Sequence, residues 1–200
     1  MGKYLEQFMS YRCASDIIGT IGPIHNFEKE ISEAFGLLKE IKSFVLKAPH
    51  ELTVVDLCSG NALVPLMSTF MLPVKESIAV DIHLREKNYE KVRNFKYVKK
   101  NIYDEMDFNG RVILTTCHAC KGLAERIIEI YNTTKEIEYL ILSPCCIGSV
   151  EGYPEVVKDK LGKYLTWAYF LYNQVDGKKS LKVNADILSP CNAIIIAEKN

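Results

Sequence analysis

The sequence has little that points to a particular partner or compartment. Its 25 basic and 25 acidic residues leave no formal net charge, so any nucleic-acid surface must be local. No segment approaches the roughly 18 apolar residues that a membrane-spanning helix needs, and the first residues lack the apolar core of a signal peptide. Internal repeats, low-complexity tracts and domain linkers are also missing. We therefore expect a single domain over residues 1–200 that has no membrane partner.

Cysteine is the residue type that the sequence has in unusual number. Seven cysteines are an odd number, and no export signal accompanies them. Reduced thiols are the expected state in such a chain. We therefore expect a cytoplasmic location.

The hydrophobic pattern divides the chain near residue 49. Residues 1–48 predict a helical extension with a break at residues 19–23 and an N-cap at Asn26. Residues 50–200 predict an α/β core in which strands alternate with helices, typical of a parallel sheet. The expected strands are 52–58, 77–82, 96–102, 111–117 and 138–143, and the expected helices are 62–71, 84–95, 122–132 and 155–173. Two further strands, 181–188 and 193–197, should pair antiparallel because residues 189–192 leave room only for a tight turn.

The segment from Val54 to Leu63 is the most informative part of the chain. An apolar run ends in Asp56, passes through small residues and becomes apolar again, which predicts a strand, a tight turn and a helix N-terminus. Asp81 closes the next apolar run, where a parallel α/β sheet binds a ribose diol. Together these features indicate a cofactor that contains a nucleoside.

Three short motifs carry a resemblance to a known family. They are Asp56-Leu57-Cys58-Ser59-Gly60-Asn61, His118-Ala119-Cys120 and Pro144-Cys145-Cys146. In this order they resemble the D-L-C-x-G-N, H-x-C and P-C-C elements of one branch of the class I S-adenosylmethionine-dependent methyltransferases, which includes tRNA ribose 2′-O-methyltransferases. The resemblance implies a Rossmann-like seven-stranded sheet, mostly parallel, with a C-terminal antiparallel hairpin and a helical N-terminal extension.

The resemblance also implies a binding site for S-adenosyl-L-methionine. Asp56 and the loop through Ala62 would contact the methionine part, Asp81 the ribose, and Asn101 the adenine amino group, although Asn101 is equally well explained as a turn residue. The full set of expected cofactor-binding residues is Asp56, Cys58, Ser59, Gly60, Asn61, Asp81, Ile82, Asn101, Ile102, Thr116 and Cys117. Only Gly60 remains a glycine among the three small positions usual in this loop, the others being Cys58 and Ala62.

The thiols after the fourth and fifth strands have three open interpretations. They pack beside the cofactor or substrate, they bind a metal, or Cys145 and Cys117 are the nucleophilic pair of an RNA cytosine-C5 methyltransferase. We expect no metal, because Cys145 and Cys146 are neighbours on an extended chain and their side chains should diverge. His118 is either a general base or a structural histidine that orients its loop.

The function that these features favour is methyl transfer to an acceptor that the sequence does not identify. The resemblance suggests a structured RNA, methylated on a ribose 2′-hydroxyl or a base, with His118 and Cys145 as candidate catalytic residues. Lysines at 96, 99, 100, 158, 160, 163, 178, 179 and 182 would contact phosphates or simply provide a soluble surface. The alternative is a non-catalytic nucleotide- or metal-binding module on the same fold.

Overall fold

The computed structural model describes residues 2–149 and 154–199. Three helices precede the sheet: α1 (Lys3–Met9), α2 (Ala14–Ile21) and α3 (Phe27–Val45). The α/β part then runs β1 (Leu52–Leu57), α4 (Leu63–Met71), β2 (Glu76–Asp81), β3 (Phe95–Lys99), β4 (Arg111–Cys120), α5 (Gly122–Thr133), β5 (Ile137–Cys146), α6 (Glu155–Gln174), β6 (Lys178–Val183) and β7 (Ala193–Glu198). No helix in the described ranges is both long and apolar enough to cross a bilayer.

Within the described residues the strands form one seven-stranded sheet in the order β3-β2-β1-β4-β5-β7-β6. The first five strands pair in parallel, and β7 pairs antiparallel with both β5 and β6. The predicted fold class is therefore confirmed, including the C-terminal antiparallel pair. The chain order reverses direction between β1 and β4, so their carboxyl ends flank a crevice of the kind in which ligands bind in open α/β sheets.

The sheet separates two hydrophobic cores, and β1 contributes side chains to both. Val54 packs with helices α1 to α4, whereas Val55 faces α5 and α6. All six residues of β1 are buried. This central position makes β1 a rigid support for the loop that follows it.

The connection between β2 and β3 corrects one prediction. The helix expected over 84–95 is absent, and the segment holds only a 3₁₀ turn at Tyr89–Lys91. Most side chains from residue 84 to residue 94 are exposed, and Tyr89 is the buried exception, so a helix here would have no apolar face to pack.

The C-terminal hairpin corrects a second prediction. Its first strand is β6 at 178–183 rather than 181–188, because the Asn184 side chain accepts a hydrogen bond from the Asp186 backbone N–H and turns the chain. Residues 184–192 therefore form a longer connection than a tight turn. Asn26 does precede α3, but in a left-handed conformation without a side-chain cap. Strands β4 and β5 also continue past their predicted ends, to Cys120 and Cys146.

Candidate cofactor cleft and thiol cluster

Asp56 is the penultimate residue of the buried strand β1, next to the loop. Its carboxylate accepts a hydrogen bond from the Thr115 hydroxyl at 2.8 Å and another from Ser59. The residue is only 1% exposed. Burial raises the pKa of Asp56 to about 7, although the two hydroxyl hydrogen bonds oppose that shift. Asp56 therefore anchors the loop and is a titrating group near neutral pH.

The loop after β1 takes its shape from alternate left-handed residues. Cys58, Gly60 and Ala62 have φ values of 57°, 52° and 55°. Cys58 and Ala62 adopt this conformation at a cost of about 1 kcal/mol or more each, whereas glycine adopts it freely. A Cβ atom added at Gly60 would meet nothing within 4 Å, so the backbone there faces open space. The loop therefore presents bare backbone to a ligand.

Asp81 connects the end of β2 to the same loop. One carboxylate oxygen accepts a hydrogen bond from the Gly60 backbone N–H at 2.9 Å, and the other accepts one from the His83 backbone N–H at 2.9 Å. Each oxygen keeps a second lone pair. The carboxylate is thus oriented by backbone donors and still has capacity for a pair of hydroxyl donors.

Two tyrosines hold the loop from its other side. The Tyr97 hydroxyl donates to the Gly60 carbonyl at 2.7 Å, and the Tyr89 hydroxyl donates to the Asn61 carbonyl at 3.0 Å. Their rings stack with centroids 5.0 Å apart. Burial raises the pKa of Tyr97 to about 12, so it remains a donor. Sequence reasoning missed both residues, because single tyrosines in a strand and a loop carry no spacing signal.

Helix α3 of the N-terminal extension forms a wall of the site. Glu33 is buried, forms an ion pair with Lys29 at 2.9 Å and hydrogen-bonds His118 Nε2 at 2.7 Å. Burial pushes the pKa of Glu33 up, but hydrogen bonds from His118 and Lys29 outweigh burial and hold it below its ordinary value. Sequence reasoning missed Glu33. The available signal was an acid between Ile31 and Phe35, inside the apolar stripe of the helix.

The loop after β1, the end of β4 and helix α3 enclose a cleft with a volume of about 320 Å³. Seven predicted site residues line it: Asp56, Cys58, Ser59, Gly60, Asn61, Cys117 and His118. Helix α3 contributes Lys29, Glu30, Glu33 and Ala34. The loop after β1 and the end of β4 therefore meet there, as parallel strands in this order require.

The other predicted cofactor residues do not line this cleft. Asp81 is one of them and reaches the site only through its hydrogen bond to the Gly60 N–H. Ile82 is exposed, and Ile102 is buried in the core beside α5. Asn101 uses its side-chain oxygen to accept the Tyr103 backbone N–H, as a turn residue does. Thr116 is fully buried, and its hydroxyl has no hydrogen-bond partner among the described residues.

The thiols at the ends of β4 and β5 form a cluster beside the cleft. The Cys120 sulfur lies 2.9 Å from the Cys145 sulfur and 3.1 Å from the Cys146 sulfur, and the last two sulfurs are 3.6 Å apart. The expectation that the side chains of Cys145 and Cys146 diverge is therefore wrong. A shift in register between β4 and β5 breaks the regular alternation there. Cys145 contacts this cluster and is not among the residues that line the cleft.

The environment of Cys117 and Cys145 does not favour a nucleophilic role. Burial raises the pKa of the Cys117 thiol well above its ordinary value. Burial also raises the pKa of Cys145, and its contacts with Cys120 and Cys146 act in the same direction. A neutral thiol is a weak nucleophile, so neither residue is activated in this state.

The predicted lysines form three clusters, at 96–100, 158–163 and 178–182, and these do not all meet on one surface. Strands β3 and β6, which carry two of them, lie at opposite edges of the sheet. Lys96, Lys158 and Lys182 each pair with an acid. A phosphate-binding surface built from all three clusters is therefore not formed.

Comparisons with known proteins establish the fold and no closer relationship. No family model and no curated protein matches the sequence. A dimethyladenosine transferase from Plasmodium falciparum matches with a TM-score of 0.51 and 14% identity, over 80% of this chain and 60% of that enzyme. Thermoplasma acidophilum protein 1320 matches with a TM-score of 0.51 and 14% identity over 85% of this chain and 89% of that chain. The methyltransferase domain of bacterial CtHen1-CN matches with a TM-score of 0.51 and 9% identity, over 80% of this chain and 96% of that chain. The chain therefore shares its fold with these three proteins, two of which are described as methyltransferases.

Proposed function

We propose that this protein is an S-adenosylmethionine-dependent methyltransferase that acts on RNA. The observation that carries the proposal is the hydrogen bond between the loop after β1, at the Gly60 N–H, and the carboxylate of Asp81. Left-handed backbone at Gly60, a hydrogen bond to Asp81 and an adjoining cleft occur together at the carboxyl edge of a methyltransferase-type sheet. This combination suits a ligand with a ribose diol and an extended polar chain.

The residues present fit that cofactor. The open space over Gly60 lets a ligand approach the backbone, and Asp81 retains lone pairs for two ribose hydroxyls. The polar side of the cleft, with Asp56, Ser59 and Asn61, would face the methionine part. The cofactor-binding residues in this proposal are those that the structure brings to the loop and the cleft: Asp56, Cys58, Ser59, Gly60, Asn61, Asp81 and Cys117.

S-adenosylmethionine supplies an electrophilic methyl group on a sulfonium. The protein has to hold the acceptor in line and remove its proton. His118 is the candidate base: it lines the cleft, and its Nε2 is fixed by the buried Glu33. Glu33 is then a positioning residue that orients the ring and stabilises its protonated form. Cys145 remains a candidate for acceptor contact at the neighbouring strand end.

Structured RNA is the proposed acceptor class. Two observations support it: the motif resemblance to tRNA ribose methyltransferases, and the shared fold with a dimethyladenosine transferase. The uneven distribution of the lysines argues for a local contact rather than a long basic groove.

Transfer of radiolabelled methyl groups from S-adenosylmethionine tests the proposal. We expect label in total RNA for the wild-type protein, and a loss of at least about 100-fold in kcat for His118→Ala. His25→Ala is the matched control, since His25 lies outside the cleft, and should retain wild-type activity. Label in protein or small molecules but not in RNA would contradict the acceptor. Binding of the cofactor without transfer to any class would contradict the enzymatic function.

A further inference from the structure

The three clustered thiols come from two adjacent strands and converge on one point. Cys120 ends β4, and Cys145 and Cys146 end β5, where Cys120 and Cys146 are register partners. Their sulfurs lie between 2.9 and 3.6 Å apart. A disulfide joins only two sulfurs, whereas three sulfurs that converge on one point can all bind the same metal ion.

The backbone is distorted on both sides of Cys120. His118 and Lys121 have φ values of 73° and 48°, which residues with a side chain rarely adopt. The register with β5 shifts at Ala119, between them. Without that shift, side chains would alternate between the two faces of the sheet. Strained backbone of this kind clusters at functional sites, and here it flanks the point where the Cys120 sulfur meets the Cys145 and Cys146 sulfurs.

We propose that Cys120, Cys145 and Cys146 bind one Zn²⁺ ion through three thiolates. Tetrahedral zinc with Zn–S bonds of about 2.3 Å separates its sulfur ligands by about 3.8 Å, so the sulfurs have to move apart by less than about 1 Å. The earlier expectation of no metal depended on diverging side chains, and their convergence removes that reason.

The fourth coordination position is open in this proposal. Cys191, in the connection between β6 and β7, also approaches this end of β5, but its sulfur donates to the Cys145 carbonyl oxygen at 2.8 Å and does not join the close group. All three ligand residues are partly accessible to solvent. A water molecule would complete the tetrahedron, as in zinc sites with three protein ligands. The ion would join the ends of β4 and β5 two residues from His118, independently of cofactor binding.

Titration of the reduced, chelator-treated full-length protein with Co²⁺ tests the site. We expect thiolate-to-cobalt charge-transfer absorbance and tetrahedral d–d bands at about one equivalent, and their loss when Zn²⁺ displaces Co²⁺. Each of Cys120→Ser, Cys145→Ser and Cys146→Ser should weaken metal affinity by at least about tenfold. Cys13→Ser, which changes a cysteine in the N-terminal helical region, is the matched control and should bind as the wild type does.

Melting temperatures separate loss of binding from loss of folding. Zn²⁺ should raise the melting temperature of the wild type and of Cys13→Ser, and should not raise that of a folded Cys120→Ser variant. Absence of the charge-transfer band in the reduced wild type would overturn the proposal. So would an equal loss of signal in Cys13→Ser, or a wild type that forms a Cys120 disulfide and never binds the metal when reduced.

Discussion

The Asp81 carboxylate accepts a hydrogen bond from the Gly60 backbone N–H at 2.9 Å, and this bond joins the end of β2 to the loop after β1. The loop is held at the same residue by Tyr97, which donates to the Gly60 carbonyl. Gly60 is therefore fixed through both of its backbone polar groups. A loop held in this way is already arranged in the free protein, which would lower the entropy cost of the proposed cofactor binding.

Replacing Asp81 by alanine should weaken binding of both S-adenosylmethionine and S-adenosylhomocysteine by one to two decades. The expected cost is about 1.5–3 kcal/mol, because charge-assisted hydrogen bonds to the ribose are lost. Isothermal calorimetry measures it, with the exposed Asp159→Ala as the control. Wild-type affinity in Asp81→Ala would remove Asp81 from the site.

Gly60→Val should abolish cofactor binding while the protein remains folded. Gly60 has a φ of 52°, and a branched side chain there would fill the space that the ligand has to enter. Gly110→Val is the matched control. Gly110 also has a positive φ, of 76°, but it lies at the amino end of β4, away from the carboxyl ends of the strands. Equal cofactor affinity in the two variants would show that backbone strain alone, and not the ligand contact, explains the effect.

Glu33→Gln should destabilise the protein by about 1–3 kcal/mol at neutral pH, since Glu33 is buried and bonded to His118 and Lys29. Its folded pKa lies below the ordinary value of 4.5. Stability from the carboxylate is therefore fully present above that pH and is lost as the pH falls through the lower folded pKa.

Urea unfolding of wild type and Glu33→Gln from pH 3.5 to 7 gives the check. The difference between them should be constant in the upper half of this range and shrink in the lower half. Glu40→Gln on the same helix breaks a surface pair with Lys182 and should cost under about 1 kcal/mol. A difference for Glu33→Gln that does not change with pH would contradict the assignment.

Asp56→Asn should change how stability depends on pH. The folded pKa of Asp56 is about 7, above its ordinary 3.8, because the group is buried. The folded state then binds more protons than the unfolded state between these values, so this group lowers stability by about 1.4 kcal/mol per pH unit as the pH rises toward 7. In urea unfolding, Asp56→Asn should gain stability relative to wild type from pH 5 to 7. Parallel curves would show that Asp56 stays ionised.

The sequence predicts the sheet well because each buried strand appears in it as a short apolar run. The apolar runs ending at Asp56 and Asp81 bring those acids to one edge, and parallel order then follows from the alternation with helices. The prediction of a helix over 84–95 is wrong for a physical reason. Its charged residues are compatible with helical propensity, but they give a helix no apolar face to bury.

The site is predicted from sequence only where its residues are local. The loop from Cys58 to Asn61 carries its own pattern, whereas Glu33 reaches His118 from another element, and no local spacing predicts that contact. The thiol cluster shows the same limit in another form. Regular strand alternation separates Cys145 from Cys146. The structure breaks that alternation because Cys145 has no register partner on β4, and the two sulfurs lie 3.6 Å apart.

Calorimetric titration of the wild-type protein with S-adenosylhomocysteine tests the central claim most directly. The account predicts saturable binding at about one site per chain, weakened at least about tenfold in Asp81→Ala and absent in Gly60→Val. No binding by the folded wild type at millimolar ligand, or equal binding by all three proteins, would contradict it.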